Sequence, residues 1–131
     1  MANVPKVLIT GINGFTGRHL KKHLNKYGFE SIGLKGDILD KESVFCQVSK
    51  IKPNYIIHLA GISFAENKDI KSMYSINING TLNILDAIKS TKYAVKKIIL
   101  ASSASVYGDT IQTNVNENTA DFVSFNWRCP T

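Results

Sequence analysis

The 131-residue chain has 44% apolar residues, 20% charged residues and a formal net charge of +6. This length allows one compact domain, and the apolar fraction is too high for a disordered chain. No apolar run approaches the roughly 18 residues of a transmembrane helix, and no signal peptide is recognisable. We therefore expect a cytoplasmic protein without a membrane partner.

The basic residues and the potential metal ligands are scattered along the chain. Only two of the 16 basic residues are arginines, and they are not interleaved with aromatic side chains, so we expect no nucleic-acid partner. His19 and His23 are four residues apart but lack a third ligand nearby, and Cys46 and Cys129 lie far apart. We predict no metal site.

The first predicted unit is a strand, a glycine-rich turn and a helix. Apolar residues 7–10 precede Gly-Ile-Asn-Gly-Phe-Thr-Gly at 11–17, and Gly28 is placed to end the helix that follows. Residues 29–34 predict a second strand. Glycines let backbone N–H groups approach a pyrophosphate at the positive end of a helix. The unit predicts a dinucleotide site; a turn without a ligand is the alternative, because the spacing departs from Gly-x-Gly-x-x-Gly.

The rest of the chain continues this alternation of helices and strands. A short helix follows residue 40, a buried strand spans 55–60, a long helix spans about 70–90, and another strand spans 97–102. Four apolar residues of the long helix are predicted to face the core: Ile78, Leu82, Leu85 and Ile88. The pattern predicts an α/β fold with a Rossmann-like, doubly wound parallel sheet.

Parallel sheets of this kind bind ligands at the carboxyl ends of their strands. Three segments follow predicted strands and should meet there: residues 11–17, 60–63 and 102–105. We therefore expect the functional site at this edge.

Five segments, in chain order, carry a family resemblance. They are Thr10 with the 11–17 turn, Gly36-Asp37-Ile38, His58-Leu59-Ala60-Gly61, Asn77-Ile78-Asn79-Gly80-Thr81 and Ser102-Ser103-Ala104-Ser105-Val106-Tyr107-Gly108. Together they resemble the extended short-chain dehydrogenase/reductases, which include nucleotide-sugar epimerases, dehydratases and 4-keto reductases. The resemblance implies an incomplete fold with the first four to five family strands. We therefore expect residues 1–108 to form a truncated dinucleotide-binding domain and residues 109–131 to form a polar loop with an irregular tail.

The resemblance also implies a nicotinamide cofactor, a nucleotide-sugar substrate and a set of site residues. The implied cofactor-binding residues are Gly11, Gly14, Phe15, Thr16 and Gly17 at the pyrophosphate, Asp37 and Ile38 at the adenine, Leu59, Ala60 and Gly61 beside the ribose, and Asn77 in the helix motif. Ser103 aligns with the catalytic residue that hydrogen-bonds the substrate oxygen. A loop-capping serine is the alternative, because Ser102 and Ser105 compete for that position.

The choice between NADP(H) and NAD(H) depends on charge at the end of the second strand. An acidic residue there accepts hydrogen bonds from the ribose of NAD, whereas this chain has Lys35. A lysine attracts the 2′-phosphate of NADP, which slightly favours NADP(H). Lys35 could equally be a solvated residue at the strand end.

The resemblance requires a Tyr-x-x-x-Lys pair some two dozen residues after the serine. The chain has no tyrosine after Tyr107, and its Tyr93-to-Lys97 match precedes Ser103 at the opposite end of a strand. We therefore expect the nucleotide-binding part of a nucleotide-sugar enzyme, most similar to the 4-keto-6-deoxysugar reductases, that is truncated and inactive alone. A natural truncation and an interrupted reading frame would both explain why the Tyr-x-x-x-Lys pair is missing.

A non-enzymatic dinucleotide-binding module, such as a redox sensor or partner subunit, is the rival interpretation. The last predicted strand leaves an uncovered edge, which can pair with another chain. A homo-oligomer is therefore left open.

Overall fold

The computed structural model describes residues 4–62, 69–103, 107 and 116. The chain divides into two units, Met1–Leu100 and Ala101–Thr131. In the second unit, residues 101–103 are exposed and Tyr107 is half-buried. The predicted boundary at 108/109 stays a prediction, and the predicted tail lies outside the described residues except for Asn116.

The first unit alternates between strands and helices. Its elements are β1 (Lys6–Thr10), α1 (Phe15–Lys26), β2 (Glu30–Gly33), α2 (Lys41–Ile51), β3 (Tyr55–His58), α3 (Ile70–Tyr74), a π-helical turn (Ser75–Asn79), α4 (Gly80–Lys89) and β4 (Lys97–Leu100). The predicted long helix is therefore three consecutive helical segments. No helix in the described ranges is long and apolar enough to cross a membrane.

The four strands form one parallel sheet in the order β2-β1-β3-β4. Leu8 of β1 is in register with Ile32 of β2 and Ile56 of β3, and Ile56 is in register with Ile98 of β4. The connection from β1 to β2 moves along the sheet in one direction, and the connections from β2 to β3 and from β3 to β4 move in the other. Right-handed crossovers therefore place α1 on one face and α2 and α4 on the other. The predicted Rossmann-like α/β fold is confirmed.

The main core lies between the sheet and the pair of helices α2 and α4. Its fully or almost fully buried members are Leu8, Ile38, Val44, Val48, Ile56, Ile84 and Ala87. Even-numbered residues of the strands point into this core, as expected from the two-residue period of a strand.

The predicted core face of the long helix is correct at Ile88, which packs against the core, and wrong at the other three residues. Ile78, Leu82 and Leu85 are exposed by 48%, 51% and 36%, whereas Ile84 and Ala87 are buried. The helix carries apolar residues on two faces, so its apolar pattern does not decide which one turns inward. Polar contacts on the inner side, described below for Thr81 and Asn83, orient the helix instead.

The C-terminus of α1 has the predicted glycine. Gly28 has φ +80°, and its N–H donates to the carbonyl of Asn25 at 3.2 Å. The N–H of Phe29 donates to the carbonyl of Leu24 at 3.1 Å, completing a Schellman motif. This motif directs the chain from α1 into β2.

Candidate functional site

The glycine-rich turn is packed against the end of β3. The Gly14 N–H donates to the Gly11 carbonyl at 3.0 Å, and Gly11 has φ +69°. A Cβ on Gly11 would lie 2.9 Å from the backbone nitrogen of Ala60, and a Cβ on Gly17 would lie 2.7 Å from Cα of Ile12. Any side chain at either position would displace backbone, so the close approach requires glycine.

The N-terminus of α1 differs from those of α2 and α3. Asp40 caps α2 and Asp69 caps α3 through side-chain oxygens, but the residue before α1 is Gly14, which has no side chain. The first turn of α1 contains no acidic residue. Its N–H groups, at Phe15, Thr16 and Gly17, are thus left for an external acceptor at the positive end of the helix. The turn fits a diphosphate.

A cavity of about 460 Å³ lies between the turn and the end of β2. Its lining residues come from the turn, from α1 and from β2 with the segment after it: Ile12, Asn13, Lys21, Ser31, Gly33, Leu34, Lys35 and Gly36. Two of them are lysines and none is acidic. Within the described part of the chain, Oγ of Ser31 is buried without a hydrogen-bond partner.

Lys21 was missed by the sequence analysis. It lies on α1, 14 residues before Lys35 in the sequence, and only the packing of α1 beside β2 brings both lysines to one cavity. The lysines of α1 are otherwise typical of a solvated helix, so the sequence contains no signal that separates Lys21 from its neighbours.

The segment after β2 is held by two side-chain amides. Gln47 of α2 accepts from the Lys35 N–H at 2.9 Å and donates to the Lys35 carbonyl at 2.8 Å. Asn83 of α4 donates to the carbonyls of Ile38 and Leu39 at 3.0 and 3.2 Å. The backbone of this segment is thus fixed at both ends.

Asp37 and Ile38 have structural contacts of their own. The Asp37 carboxylate accepts from the N–H of Leu39 at 2.9 Å, which forms a local turn. Ile38 is 8% exposed and packs in the core. Their predicted roles at the adenine stay predictions.

A buried hydrogen-bond chain, the Thr10–His58–Thr81 network, joins the ends of β1 and β3 to α4. The Thr10 hydroxyl lies 2.6 Å from Nδ1 of His58, and Nε2 of His58 lies 2.9 Å from Oγ1 of Thr81. The Thr81 hydroxyl donates to the Asn77 carbonyl at 2.6 Å. Since that proton is used, Oγ1 of Thr81 accepts from Nε2–H of His58, and Nδ1 accepts from Thr10.

This arrangement requires a neutral imidazole. His58 is 5% exposed, and burial lowers its pKa below the usual 6.5. Protonation at Nδ1 would place an N–H against the Thr10 hydroxyl, which already accepts from the N–H groups of Leu59 and Ala60 at 3.1 and 3.0 Å. The network thereby fixes the backbone that the turn touches.

Asn77 holds the next part of the same loop. Its side chain accepts from the Ile62 N–H at 2.9 Å and donates to the Ile62 carbonyl at 3.0 Å. A Cβ on Gly61 would lie 3.1 Å from Oδ1 of Asn77. Asn77 therefore shapes the loop containing Leu59, Ala60 and Gly61, and direct contact of any of these four residues with a cofactor stays a prediction.

The remaining predicted residues make none of the contacts described above. Ser103 is exposed in the second unit, and its catalytic role stays a prediction. The Tyr93 hydroxyl donates to the Val48 carbonyl at 3.1 Å, and burial raises its pKa, the opposite of an activated tyrosine. The ring of His19 contacts that of Phe15 at a tilt of 60°, and the ring of His23 contacts that of Tyr27 at a tilt of 47°. The described residues contain no cluster of three metal-ligating side chains.

The comparison with family models decides the relationship. Residues 7–126 match the model of the NAD dependent epimerase/dehydratase family. The chain belongs to this family. The match covers the turn, the cavity and the Thr10–His58–Thr81 network.

Individual family members agree with this assignment. The chain is 34% identical over 108 residues to a GDP-6-deoxy-D-talose 4-dehydrogenase from Aggregatibacter actinomycetemcomitans, covering 79% of the chain and 37% of that relative. It is 28% identical over 113 residues to a GDP-6-deoxy-D-mannose reductase from Pseudomonas aeruginosa, covering 82% of the chain and 36% of the relative. The chain therefore spans little more than a third of these family members.

The fold also matches a solved structure of a family enzyme with its cofactor. The UDP-glucose 4-epimerase from Brucella ovis, in complex with NAD, superposes with a TM-score of 0.78 at 26% identity. The match covers 89% of this chain and 41% of the epimerase. The shared part includes the Rossmann-like sheet.

Proposed function

We propose that these 131 residues form the NAD(P)-binding part of a nucleotide-sugar epimerase, dehydratase or 4-keto-6-deoxysugar reductase. The observation that carries the proposal is the uncapped N-terminus of α1 behind a turn that requires glycine at Gly11 and Gly17. The backbone N–H groups of Phe15, Thr16 and Gly17 would bind the cofactor diphosphate. Family membership supports a dinucleotide as the anion.

Each neighbouring segment would then have a defined task. Residues Lys35–Gly36 would border the adenosine ribose, and the loop fixed by Thr10 and Asn77 would form the wall beside it. When bound, the nicotinamide supplies or accepts the hydride. The protein residues described here orient the cofactor and do not themselves exchange hydride.

NADP(H) is proposed as the preferred cofactor over NAD(H). The cavity at the end of β2 contains the cations Lys21 and Lys35 and no carboxylate, so it attracts a 2′-phosphate and offers no acidic acceptor to a 2′-hydroxyl. The Brucella ovis epimerase binds NAD. The lysine pair is the reason for proposing a different preference in this chain.

A GDP-linked 6-deoxysugar is the proposed substrate class of the intact enzyme. Two relatives are named for such sugars, the 4-dehydrogenase from Aggregatibacter actinomycetemcomitans and the reductase from Pseudomonas aeruginosa. Ser103 would hydrogen-bond the sugar oxygen at which hydride transfer occurs.

We propose that the 131 residues bind cofactor without catalysing hydride transfer. No tyrosine follows Tyr107 and no lysine follows Lys97, so a tyrosine acid with its lysine is missing after Ser103. The same observation favours a second candidate, a non-enzymatic dinucleotide-binding module.

A cofactor titration followed by an assay tests both proposals. Calorimetry should detect NADPH and NADH binding, with NADPH tighter, and an absorbance assay with a 4-keto nucleotide-sugar should detect no turnover. Failure of both cofactors to bind at millimolar concentration would refute the dinucleotide site. Turnover would refute catalytic incompleteness.

A further inference from the structure

Gln47 makes a pair of hydrogen bonds with the backbone of one residue at the cavity rim, Lys35. Its Oε1 accepts from the Lys35 N–H at 2.9 Å, and its Nε2 donates to the Lys35 carbonyl at 2.8 Å. The second Nε2 proton is directed to Oγ of Ser43 at 3.1 Å. All three contacts fix the amide in one orientation.

The backbone of Lys35 needs this support because it lies beyond the end of β2. The preceding residue, Leu34, makes a sheet-like hydrogen bond from its N–H to the Ile9 carbonyl at 3.1 Å. Lys35 instead bonds to a side chain, and Gly36 then turns the chain with φ +80°. The Gln47 amide therefore takes the place of a neighbouring strand for one residue.

We propose that Gln47 is a positioning residue that sets cofactor selectivity through Lys35. The inference rests on the proposed function, in which the Lys35 ammonium meets the cofactor 2′-phosphate. Lys35 is exposed, and a long exposed side chain binds an anion best when its backbone is held in place. Gln47 supplies that hold without touching the cofactor.

Asn83 provides a matched comparison. Its side chain also donates to backbone carbonyls of the segment after β2, but at Ile38 and Leu39. Both amides therefore support the same segment, and only Gln47 holds the residue whose charge would distinguish the two cofactors. Loss of Asn83 should disturb the segment without a specific effect on the 2′-phosphate.

The test measures binding of 2′,5′-ADP and 5′-ADP by calorimetry to the 131-residue chain and its variants. Gln47→Met removes both hydrogen bonds while keeping the side-chain length. We expect it to reduce the affinity ratio of 2′,5′-ADP to 5′-ADP about fivefold. Asn83→Leu should leave that ratio unchanged. Circular dichroism establishes that each variant is folded.

A double-mutant cycle separates positioning from a purely structural role. Lys35→Ala should reduce the same ratio, and adding Gln47→Met to it should change the ratio no further. Gln47→Asn, which is shorter, should not restore selectivity. A wild-type ratio near one, an equal loss of both ligands in Gln47→Met, or additivity with Lys35→Ala would each overturn the inference. If the wild type bound neither ligand, the proposed function itself would fail.

Discussion

The hydroxyl of Thr10 and Nδ1 of His58 lie 2.6 Å apart, at the ends of adjacent parallel strands. This contact makes Thr10 the donor to His58 and the acceptor for the N–H groups of Leu59 and Ala60. The Ala60 backbone nitrogen also lies 2.9 Å from where a Cβ on Gly11 would be. The position of the glycine-rich turn thus depends on the neutral state of one buried histidine.

Stability should fall on mild acidification because of His58. Burial lowers its pKa in the folded state below 6.5, so the unfolded state binds more protons between that lowered pKa and about 6.5. The free energy of unfolding should therefore decrease as pH falls below about 6.5, by at most about 1.4 kcal/mol per pH unit. Above about pH 7.5, where the histidine is largely neutral in the unfolded state as well, it should contribute almost no pH dependence.

Urea denaturation between about pH 8 and about pH 5 measures this effect. A His58→Gln variant, which does not titrate in this range, provides the control. An equally steep decrease in the variant would show that His58 is not the responsible group.

Removal of the Thr10 hydroxyl should destabilise the fold strongly. Thr10→Val keeps the shape but leaves the Ala60 N–H and Nδ1 of His58 without this partner, at a cost of about 2 to 3 kcal/mol. Thr10→Ser keeps the hydroxyl and loses one methyl group, at a cost of about 1 kcal/mol. Urea denaturation gives the free energy of unfolding of both variants. An equal loss of stability in the two would contradict the assigned hydrogen bonds.

The local features of this fold could be predicted from the sequence, but the contacts between distant segments could not. The turn at 11–17 and the role of Gly28 follow from glycine spacing and the change from strand to helix periodicity. The partners of Gln47 and Asn83 are 12 and 44 to 45 residues away. Only the side-by-side packing of α2 and α4 brings these amides to the segment after β2.

The face of α4 that turns toward the core could not be predicted from the sequence either. Leu82 and Leu85 are at least as apolar as Ile84 and Ala87, so hydrophobic periodicity favours two faces at once. The hydrogen bonds of Thr81 to His58 and of Asn83 to Ile38 orient the helix. Both partners lie outside the helix, in parts of the chain that no local pattern connects to it.

The two glycines at opposite ends of α1 should respond differently to alanine. Gly17→Ala places a Cβ against the backbone of Ile12, so we expect a loss of about 1 to 3 kcal/mol and a large loss of NADPH affinity. At Gly28 nothing lies within 4 Å of a Cβ. Gly28→Ala should cost about 1 kcal/mol for its positive φ and leave NADPH affinity unchanged.

Thermal unfolding and calorimetry with NADPH measure the two effects separately. Wild-type NADPH affinity in a folded Gly17→Ala variant would contradict the assignment of the turn.

Lys21 should contribute to NADPH binding, although it lies on a helix surface. Lys21→Ala removes one cation from the cavity at the end of β2, and we expect NADPH affinity to fall about fivefold with little change for NADH. Lys22→Ala is the matched control, because Lys22 does not line that cavity. Calorimetry at fixed ionic strength gives both affinities. Equal effects of the two variants would indicate a general charge effect.

The ligand predictions all depend on the binding of a dinucleotide at the N-terminus of α1. Titration of the ¹⁵N-labelled chain with NADPH tests it directly by NMR, because each backbone N–H reports on its own surroundings. We expect the largest shifts at Phe15, Thr16 and Gly17, with further shifts at Lys35 and Gly36. Shifts confined to the groove between α2 and α4, lined by Phe45 and Cys46 among others, would contradict it.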